Sequence, residues 1–403
     1  TGKSYLAKQI AADIISNGFT DRYSDLTYEQ KRQMEFVQFH PSYDYSDFVE
    51  GIRPKMNEDG SMGFELQEGI FKRFVDKARK NLENSQKSKE KIKKEISANT
   101  VMANFFDNIE YGVQEFYTIK GNKFTVTDVD EKYIYIAIPG NKTVDKLNLN
   151  IDEVRKMLES GRDFEKVSDI TGFFGKQFAT QNYSYDFVLF KEIKKAGLKE
   201  VKTNVAPEEL KKYIFIIDEI NRGEISKILG ELFFSIDPGY RGKSGEVATQ
   251  YSNMHDDPDE KFYIPENVYI IGTMNDIDRS VDSFDFAMRR RFRFVEVKAK
   301  ATQGMLESLE NEALKSRAVE RMDRLNAEIL KVDDLNENYQ IGASYFLKLK
   351  TQSFEELWTD YLKPLLQDYV RGLYDEEGIM KRFERAYDYQ ALNEGNADEA
   401  TEN

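Results

Sequence analysis

One segment constrains the fold most: the continuous apolar run of residues 213–217, which ends in two acids, Asp218 and Glu219. Such a run is typical of a buried parallel strand, whose carboxyl end faces a ligand crevice. Asp218 is then placed to hold Mg²⁺, directly or through water, and Glu219 to polarise an attacking water. Acids after a hydrophobic strand also serve as helix N-caps, but two adjacent acids do not need that explanation.

A second apolar run, residues 268–272, is followed by Asn275 and then by a triple-arginine turn, Arg289, Arg290 and Arg291. An Asn at a strand tip is placed to orient a water beside a phosphate, and a planar arginine cation suits the charge on a neighbouring subunit's nucleotide. The pattern predicts that Asn275 is catalytic together with one or two of the arginines, for which we take Arg289 and Arg290. The alternative is a core strand followed by a solvated basic turn.

The first four residues, Thr1-Gly-Lys-Ser4, match the second half of a P-loop, G-x-x-x-x-G-K-[ST], and precede a predicted helix over residues 5–16. In this motif Thr1, Gly2 and Lys3 bind nucleotide phosphates, and Ser4 supplies a hydroxyl to Mg²⁺. The predicted magnesium ligands are therefore Ser4 and Asp218. Because the motif is cut in half and the chain does not begin with Met, we expect that residue 1 is not the natural start.

Residues 274–279 read Met-Asn-Asp-Ile-Asp-Arg, which fits the pattern M-N-x-x-D-R. This pattern resembles the signature of a known family, the McrB-type AAA+ NTPases. Four further segments match in the same order: 39–51 (FHPSYDYSDFVEG), 218–222 (DEINR), 262–269 (FYIPENVY) and 339–346 (YQIGASYF). Together they span about two-thirds of the chain, which makes them more specific than a P-loop alone. The resemblance adds Asp278 and Arg279 to the expected nucleotide-binding residues; one departure is Ala343, where relatives often carry His.

Members of this family are motor subunits of modification-dependent restriction systems, and they are unusual among AAA+ proteins in preferring GTP. The resemblance therefore implies an NTP hydrolase that uses GTP, or ATP, with Mg²⁺. It also implies a homo-hexamer that drives DNA translocation and cleavage by an McrC-like endonuclease. DNA would be contacted through the assembled complex or through an N-terminal domain outside this sequence. The alternatives are a MoxR-like ATPase chaperone that remodels proteins, and a module that binds nucleotide without turnover.

Composition limits the remaining possibilities. Without Cys the chain has neither a disulfide framework nor a thiol zinc site, and its two histidines are too few for a His-based site. No apolar run approaches the roughly 20 residues of a membrane span and no signal peptide is visible, so we expect a cytoplasmic protein with no membrane contact. The net charge of −14 argues against DNA binding over the whole surface.

The order of these motifs predicts an α/β fold, a P-loop AAA+ core with a parallel sheet. Residues 1–83 and 211–300 are the predicted halves of that core, and the long interval between them, residues 84–210, is predicted to be an inserted small α+β domain. Residues 301–390 form the predicted helical lid, with helical spacing over residues 305–331 and 354–373. The polar residues 391–403 are predicted to be a disordered tail.

The insert offers two further patterns, each with two interpretations. Its Lys87, Lys89, Lys91, Lys93 and Lys94 are interleaved with acids, which favours a solvated helix with i,i+4 pairs over a nucleic-acid contact. Its many aromatic residues suit base stacking, but a small module also needs them for its core, and the core is favoured. We predict that the insert docks another protein or shapes the face of the ring.

Overall fold

The computed structural model describes residues 2–56, 60–140, 144–195, 197, 205–255, 257–275 and 286–388. The chain divides into two compact units, one made of residues 1–82 and 210–403 and the other of residues 83–209. Each unit has a hydrophobic core of its own. In the described part of the chain, none of the helices combines the length and the apolar character that crossing a membrane requires.

The first unit begins with a helix that follows directly from the P-loop residues. Its elements up to residue 85 are α1 (Lys3–Ile15), α2 (Tyr28–Lys31), β1 (Met34–Gln38), α3 (Tyr45–Phe48), β2 (Glu50–Met56), β3 (Met62–Glu68) and α4 (Ile70–Ser85). Helix α1 buries small residues at helical spacing, Ala7 and Ala11, which lets it lie close to the sheet. Strands β2 and β3 form a two-stranded antiparallel hairpin.

The second unit is a small α+β module. It contains α5 (Lys89–Asp107), β4 (Glu115–Tyr117), β5 (Lys123–Val129), β6 (Tyr133–Ala137), β7 (Lys146–Asn150), α6 (Ile151–Ser160), α7 (Val167–Phe173) and α8 (Tyr183–Lys195). The four strands form an antiparallel sheet in sequence order. Alternate residues of β6, Ile134 and Ile136, are fully buried, whereas Tyr133 and Tyr135 are half-buried, so one face of the sheet meets the core.

The rest of the first unit completes a parallel sheet. Its next elements are β8 (Tyr213–Asp218), α9 (Ile225–Leu229), α10 (Leu232–Ser235), β9 (Val268–Gly272) and α11 (Phe286–Arg289). The sheet order is β1-β8-β9, and both pairings are parallel. Strand β8 is central and buried on both faces: Ile214 and Ile216 face α1, while Phe215 packs against Phe71 and Phe74. This explains why its sequence is continuously apolar, and it confirms the predicted α/β core.

The last part of the chain that the structure describes forms the predicted helical lid. Its helices are α12 (Glu312–Ile329), α13 (Ala343–Phe346), α14 (Phe354–Leu357), α15 (Lys363–Val370) and α16 (Glu376–Tyr387). Two details of the prediction are wrong. Helix α12 starts at Glu312 because the Asn311 side chain caps it, and 3₁₀ turns precede it. The segment predicted over residues 354–373 is interrupted by a π-helical stretch, Trp358–Leu362, just before Pro364, which has no N–H to donate to a continuous α-helix.

A fully buried carboxylate in the first unit is ionised and paired. The Glu50 side chain accepts hydrogen bonds from Lys72 Nζ at 2.6 Å and from His255 Nε2 at 2.8 Å, and the side chains of Lys72 and His255 are themselves only 9% exposed. Burial by itself raises the pKa of the Glu50 carboxyl, but these partners lower it, and the resulting pKa lies below its ordinary value.

A fully buried carboxylate in the second unit has no such partner. Asp186 lies on α8, and neither of its carboxyl oxygens has a hydrogen-bond partner among the described residues. Burial, reinforced by the nearby charge of Glu153, raises the pKa of Asp186 well above its ordinary value. Burial therefore favours the neutral form of the Asp186 carboxyl in the folded protein.

Candidate nucleotide site

The P-loop lysine meets the tip of the last sheet strand. Lys3 is the first residue of α1, and its Nζ donates a 2.9 Å hydrogen bond to Asn275 Oδ1, three residues beyond the end of β9. Their separation in the chain is 272 residues. Because β9 runs parallel to its neighbours, its carboxyl end delivers Asn275 to the same edge as the P-loop helix. The structure thus brings these two predicted site residues together.

The residue before this lysine must be a glycine. Gly2 has a φ of 87°, in the left-handed region that favours glycine. A Cβ added there would also lie 3.0 Å from Met305 Sδ and 3.1 Å from Thr302 Cγ2. Both residues precede the lid helices, so the phosphate-binding turn and the start of the lid are in close contact.

The two predicted magnesium ligands also meet. Ser4 Oγ donates a 2.5 Å hydrogen bond to Asp218 Oδ1, at the end of β8. Thr273 Oγ1 donates to the same oxygen at 2.5 Å, so the carboxylate is held from two sides. A hydroxyl and a carboxylate are the oxygen donors that Mg²⁺ prefers, and their contact fits a shared ion. No larger group of metal-binding acids and histidines occurs in the described ranges, so an ion here would complete its coordination with water and phosphate oxygens.

The predicted catalytic acid is held in an unusual backbone conformation. Glu219 has φ 52° and ψ 44°, a left-handed geometry that costs free energy for any residue with a Cβ. Its backbone N–H donates to Thr273 Oγ1 at 3.3 Å. Its carboxylate Oε2 accepts a 3.1 Å hydrogen bond from Arg222 Nε, and the side chain is 25% exposed. The acid therefore sits at the sheet edge, within reach of solvent, with its charge balanced by an arginine.

Three neighbouring residues were missed by sequence reasoning. Thr273 anchors Asp218 and Glu219, and Arg222 pairs with Glu219. Asn221 is buried and donates from Nδ2 to the Asn275 backbone oxygen at 3.2 Å, which ties the two strand ends together. The D-E-I-N-R string is the sequence signal that could have pointed to Asn221 and Arg222. Both residues belong to the short 3₁₀ turn Ile220–Arg222, which directs their side chains back toward the strand ends.

The structure separates the three arginines at the end of α11, of which Arg289 is the last helical residue. Arg291 is turned into its own chain: its guanidinium donates to the Ala287 carbonyl at 2.6 Å and lies 4.1 Å from the centre of the Phe233 ring. Arg289 and Arg290 are exposed, with the Arg289 guanidinium 5.5 Å from the Phe294 ring. Arg289 and Arg290 are thus more exposed at the surface than Arg291.

The remaining predicted site residues, Thr1, Asp278 and Arg279, lie outside the described residues, as does the predicted tail over residues 391–403. Ala343, the residue that replaces the His common in relatives, lies in the lid core and is fully buried. Its backbone N–H faces Thr302 Oγ1 at 3.5 Å.

Two family models match this chain. One is the AAA domain of the dynein-related subfamily, which matches residues 179–292 and so includes the acidic strand, Asn275 and the arginine turn. The other is the alpha-helical lid domain of McrB, which matches residues 317–378.

Two curated proteins are similar to parts of the chain. The EcoKMcrB subunit of the type IV methyl-directed restriction enzyme of Escherichia coli K12 is 40% identical over 181 residues, covering 40% of this chain and 37% of that protein. Component YdiS of the type II restriction enzyme BsuMI of Bacillus subtilis 168 is 25% identical over 137 residues, covering 32% of this chain and 40% of that protein. The chain therefore spans about two fifths of the length of each of these relatives.

Proposed function

We propose that this chain, which belongs to the McrB-type AAA+ NTPases, is the nucleotide-hydrolysing motor subunit of an McrBC-like restriction complex. The observation that carries the proposal is the meeting of P-loop, acidic strand end and polar strand end at one edge of the parallel sheet. Lys3 contacts Asn275, and Ser4 contacts Asp218, although these pairs are more than 200 residues apart in the chain.

Each of these side chains has a task in phosphoryl transfer. The Lys3 ammonium would neutralise charge on the terminal phosphates, and Ser4 and Asp218 would hold a Mg²⁺ ion, which would supply further positive charge there. Glu219 polarises the attacking water, and Asn275 orients that water toward the phosphate. In this structure Asn275 accepts from Lys3 and Glu219 accepts from Arg222, so bound nucleotide would draw Lys3 toward phosphate and leave the Asn275 amide to hold the water.

We further propose that the nucleotide is GTP in preference to ATP, as the resemblance to the family implies. Steady-state hydrolysis of both nucleotides by the complete protein tests this, with and without the product of an adjacent nuclease gene. Faster turnover of GTP, stimulated by that product, would support the base preference and the McrC-like partner together. Hydrolysis of ATP alone, unaffected by a nuclease, would favour the MoxR-like chaperone. Lys3→Ala is the control, because it removes a charge-assisted contact to phosphate and should weaken nucleotide binding.

The proposal includes a ring of identical subunits, for which we take a homo-hexamer. A nucleotide bound between subunits links two chains, so light scattering should report a larger particle when a slowly hydrolysed GTP analogue and Mg²⁺ are added. A particle of unchanged monomer size at micromolar protein and saturating analogue would contradict the ring. DNA would be engaged by the assembled complex or by a domain outside this sequence, and the protein would act in the cytoplasm.

A further inference from the structure

The second unit contains a cavity that the proposed motor chemistry does not use. It has a volume of about 510 Å³ and lies between the first turns of α5, the last turns of α6 and the end of α7. Cavities of this size accept a ligand of the dimensions of a single nucleotide. Its lining combines lysines, carboxylates and aromatic rings, and this combination indicates the kind of ligand.

Three lysines from two helices line the cavity. Lys91 and Lys94 are three residues apart on α5, hence on one face, and Lys156 approaches from α6. All three are exposed, and none forms a salt bridge within the part of the chain that the structure describes. By contrast, Lys87, just before the same helix, is paired with Glu95 at 2.7 Å. The predicted network of i,i+4 pairs therefore does not account for the lysines at the cavity.

Two adjacent aromatic rings form an apolar wall of the cavity. Phe173 and Phe174 close α7, and both remain half-buried although they pack against the core of the unit. Phe174 stacks on Tyr183 with ring centres 5.8 Å apart, and Phe173 meets Phe164 edge to face at 5.4 Å. These contacts fix the ring planes. Because the two rings meet edge to face, with centres 4.9 Å apart, a flat base can stack on one of them and touch the edge of the other.

Two carboxylates, Glu90 and Glu159, complete the pattern. A site for a simple anion would exclude them, because they repel it. A nucleotide uses all three kinds of group, since its phosphates suit lysines, its base suits aromatic rings, and the N–H groups of its base donate to carboxylates. Burial, helped by the charge of Glu95, raises the pKa of Glu159.

The charge of the second unit permits such a contact. Residues 83–209 contain 20 Lys and Arg against 21 Asp and Glu, a net charge of −1, whereas the other residues carry the remaining −13. We propose that this cavity binds a nucleotide of single-stranded nucleic acid, with phosphates on Lys91, Lys94 and Lys156 and a base against Phe173 and Phe174. A single strand is favoured over a duplex because only unpaired bases are free to leave their stack and enter a cavity.

Binding of a fluorescein-labelled twelve-nucleotide thymidine strand to the full chain, followed by anisotropy, tests the proposal. The chain should carry Lys3→Ala, so that the P-loop does not contribute. Changing Lys91 and Lys94 together to Ala should weaken binding about tenfold and lower the salt slope by about 0.7 for each phosphate that is no longer neutralised. The matched control changes Lys89 and Lys93 to Ala on the same helix, since these exposed lysines do not line the cavity. The control should stay within about twofold of the parent.

Phe173→Leu separates stacking from charge, because it keeps an apolar side chain but removes the flat ring. It should weaken binding about fivefold or more with an unchanged salt slope. Thymidine monophosphate then tests whether a free nucleotide is sufficient for binding. If it is, thymidine monophosphate should displace the strand from the parent protein, and this displacement should be lost when Lys91 and Lys94 are changed to Ala. The proposal is overturned if no strand binds, if both lysine pairs weaken binding equally, or if a duplex binds as well as the single strand.

Discussion

The two units of this chain treat a fully buried carboxylate in opposite ways. In the first unit Glu50 remains ionised because Lys72 and His255 donate hydrogen bonds to it. In the second unit Asp186 is equally buried, but its oxygens have no partners within the described residues, and burial raises its pKa. Burial alone therefore does not decide whether a carboxyl group in this molecule is charged. The hydrogen-bond donors around the group decide it.

The same contrast extends to the surfaces where each unit would act. The sheet edge of the first unit holds acidic side chains against hydrogen-bond partners, Asp218 with Ser4 and Glu219 with Arg222. The cavity of the second unit instead presents lysines without salt bridges in the described part of the chain. The first arrangement suits chemistry that needs charges fixed in place, and the second suits reversible capture of a charged ligand.

Removing the exposed arginines of the first unit should have a larger effect than any other change considered, and it tests whether these charges act between subunits. Changing Arg289 and Arg290 to Ala should lower turnover by about 10³- to 10⁵-fold if, as proposed, these exposed arginines stabilise charge on a neighbour's nucleotide. Arg291→Ala is the matched control and should mainly affect stability, since Arg291 packs on Phe233 of its own chain. Turnover of GTP is the measurement.

Mixing variants decides whether the contact is between chains. An arginine variant and a Lys3→Ala variant are each expected to be inactive, but a mixed ring contains interfaces with a sound P-loop on one side and a sound arginine on the other. Partial recovery of turnover is therefore expected. If mixed rings form and no activity returns, the arginines act within their own chain.

The next prediction concerns the paired carboxylate. Glu50→Gln should lower the free energy of unfolding by about 3–5 kcal/mol, because the buried Lys72 charge then keeps only the partly exposed Glu68 carboxylate, at 3.6 Å, as a partner. Since the folded pKa of Glu50 is lowered, its stabilisation is present above the unfolded pKa of about 4.3 and is lost as pH falls through the folded pKa. The difference between wild type and variant should therefore shrink in acid.

Denaturant unfolding at several pH values, with hydrogen exchange of α4 as a local probe, measures this effect. Glu65→Gln is the control, because Glu65 forms an exposed ion pair with Lys55 at the β2–β3 hairpin and should contribute little. An equal loss of unfolding free energy in the two variants would show that the buried Glu50 pair stabilises the protein no more than the exposed Glu65 pair.

A smaller effect is expected on the chemical step. Glu219→Gln preserves the size of the side chain but removes the charge that polarises water, so nucleotide should still bind while turnover falls about 10²-fold or more. Glu224→Gln is the control in the same segment, since Glu224 is exposed and paired with Lys227. Binding and turnover of GTP are measured separately, and near-normal turnover in Glu219→Gln would remove this acid from catalysis.

The smallest effect is a gain. Asp186→Asn should raise the free energy of unfolding by about 1–3 kcal/mol at neutral pH, because the folded state no longer has to keep a buried acid protonated. The folded pKa of Asp186 is raised, so wild-type stability falls as pH rises above the unfolded pKa of about 3.9. The gain should therefore vanish near pH 4.

Hydrogen exchange of α8 amides across this pH range measures the gain in the second unit. Asp107→Asn, at an exposed residue that ends α5, is the control and should change little. A destabilised Asp186→Asn protein at neutral pH would contradict the view that burial favours the neutral form of Asp186.

Sequence reasoning predicted the sheet edge well because parallel strands gather their carboxyl ends. Once 213–217 and 268–272 are taken as parallel neighbours, Asp218 and Asn275 must lie at one edge with the P-loop helix, as the structure has them. Their catalytic and metal-binding roles stay predictions.

Features that depend on turns and helix faces were not predictable in the same way. The Arg222–Glu219 contact depends on the left-handed backbone conformation of the residue after β8, and the periodicity of the sequence does not predict that conformation. The start of α12 depends on Asn311 acting as a cap within an otherwise helical pattern. The cavity of the second unit arises where three helices converge, and helical spacing does not reveal which lysine faces which neighbour.

The backbone at Glu219 has a consequence for how this protein can change. Among the described residues, three other than glycine have a positive φ, and two of them, Asn17 and Asp375, are of the short polar types that tolerate it. Glutamate lacks that tolerance, so position 219 carries strain of about 1 kcal/mol or more. Selection for heat resistance alone would accept Gly there, whereas selection for turnover would retain the acid. At this single position, durability and activity are competing traits.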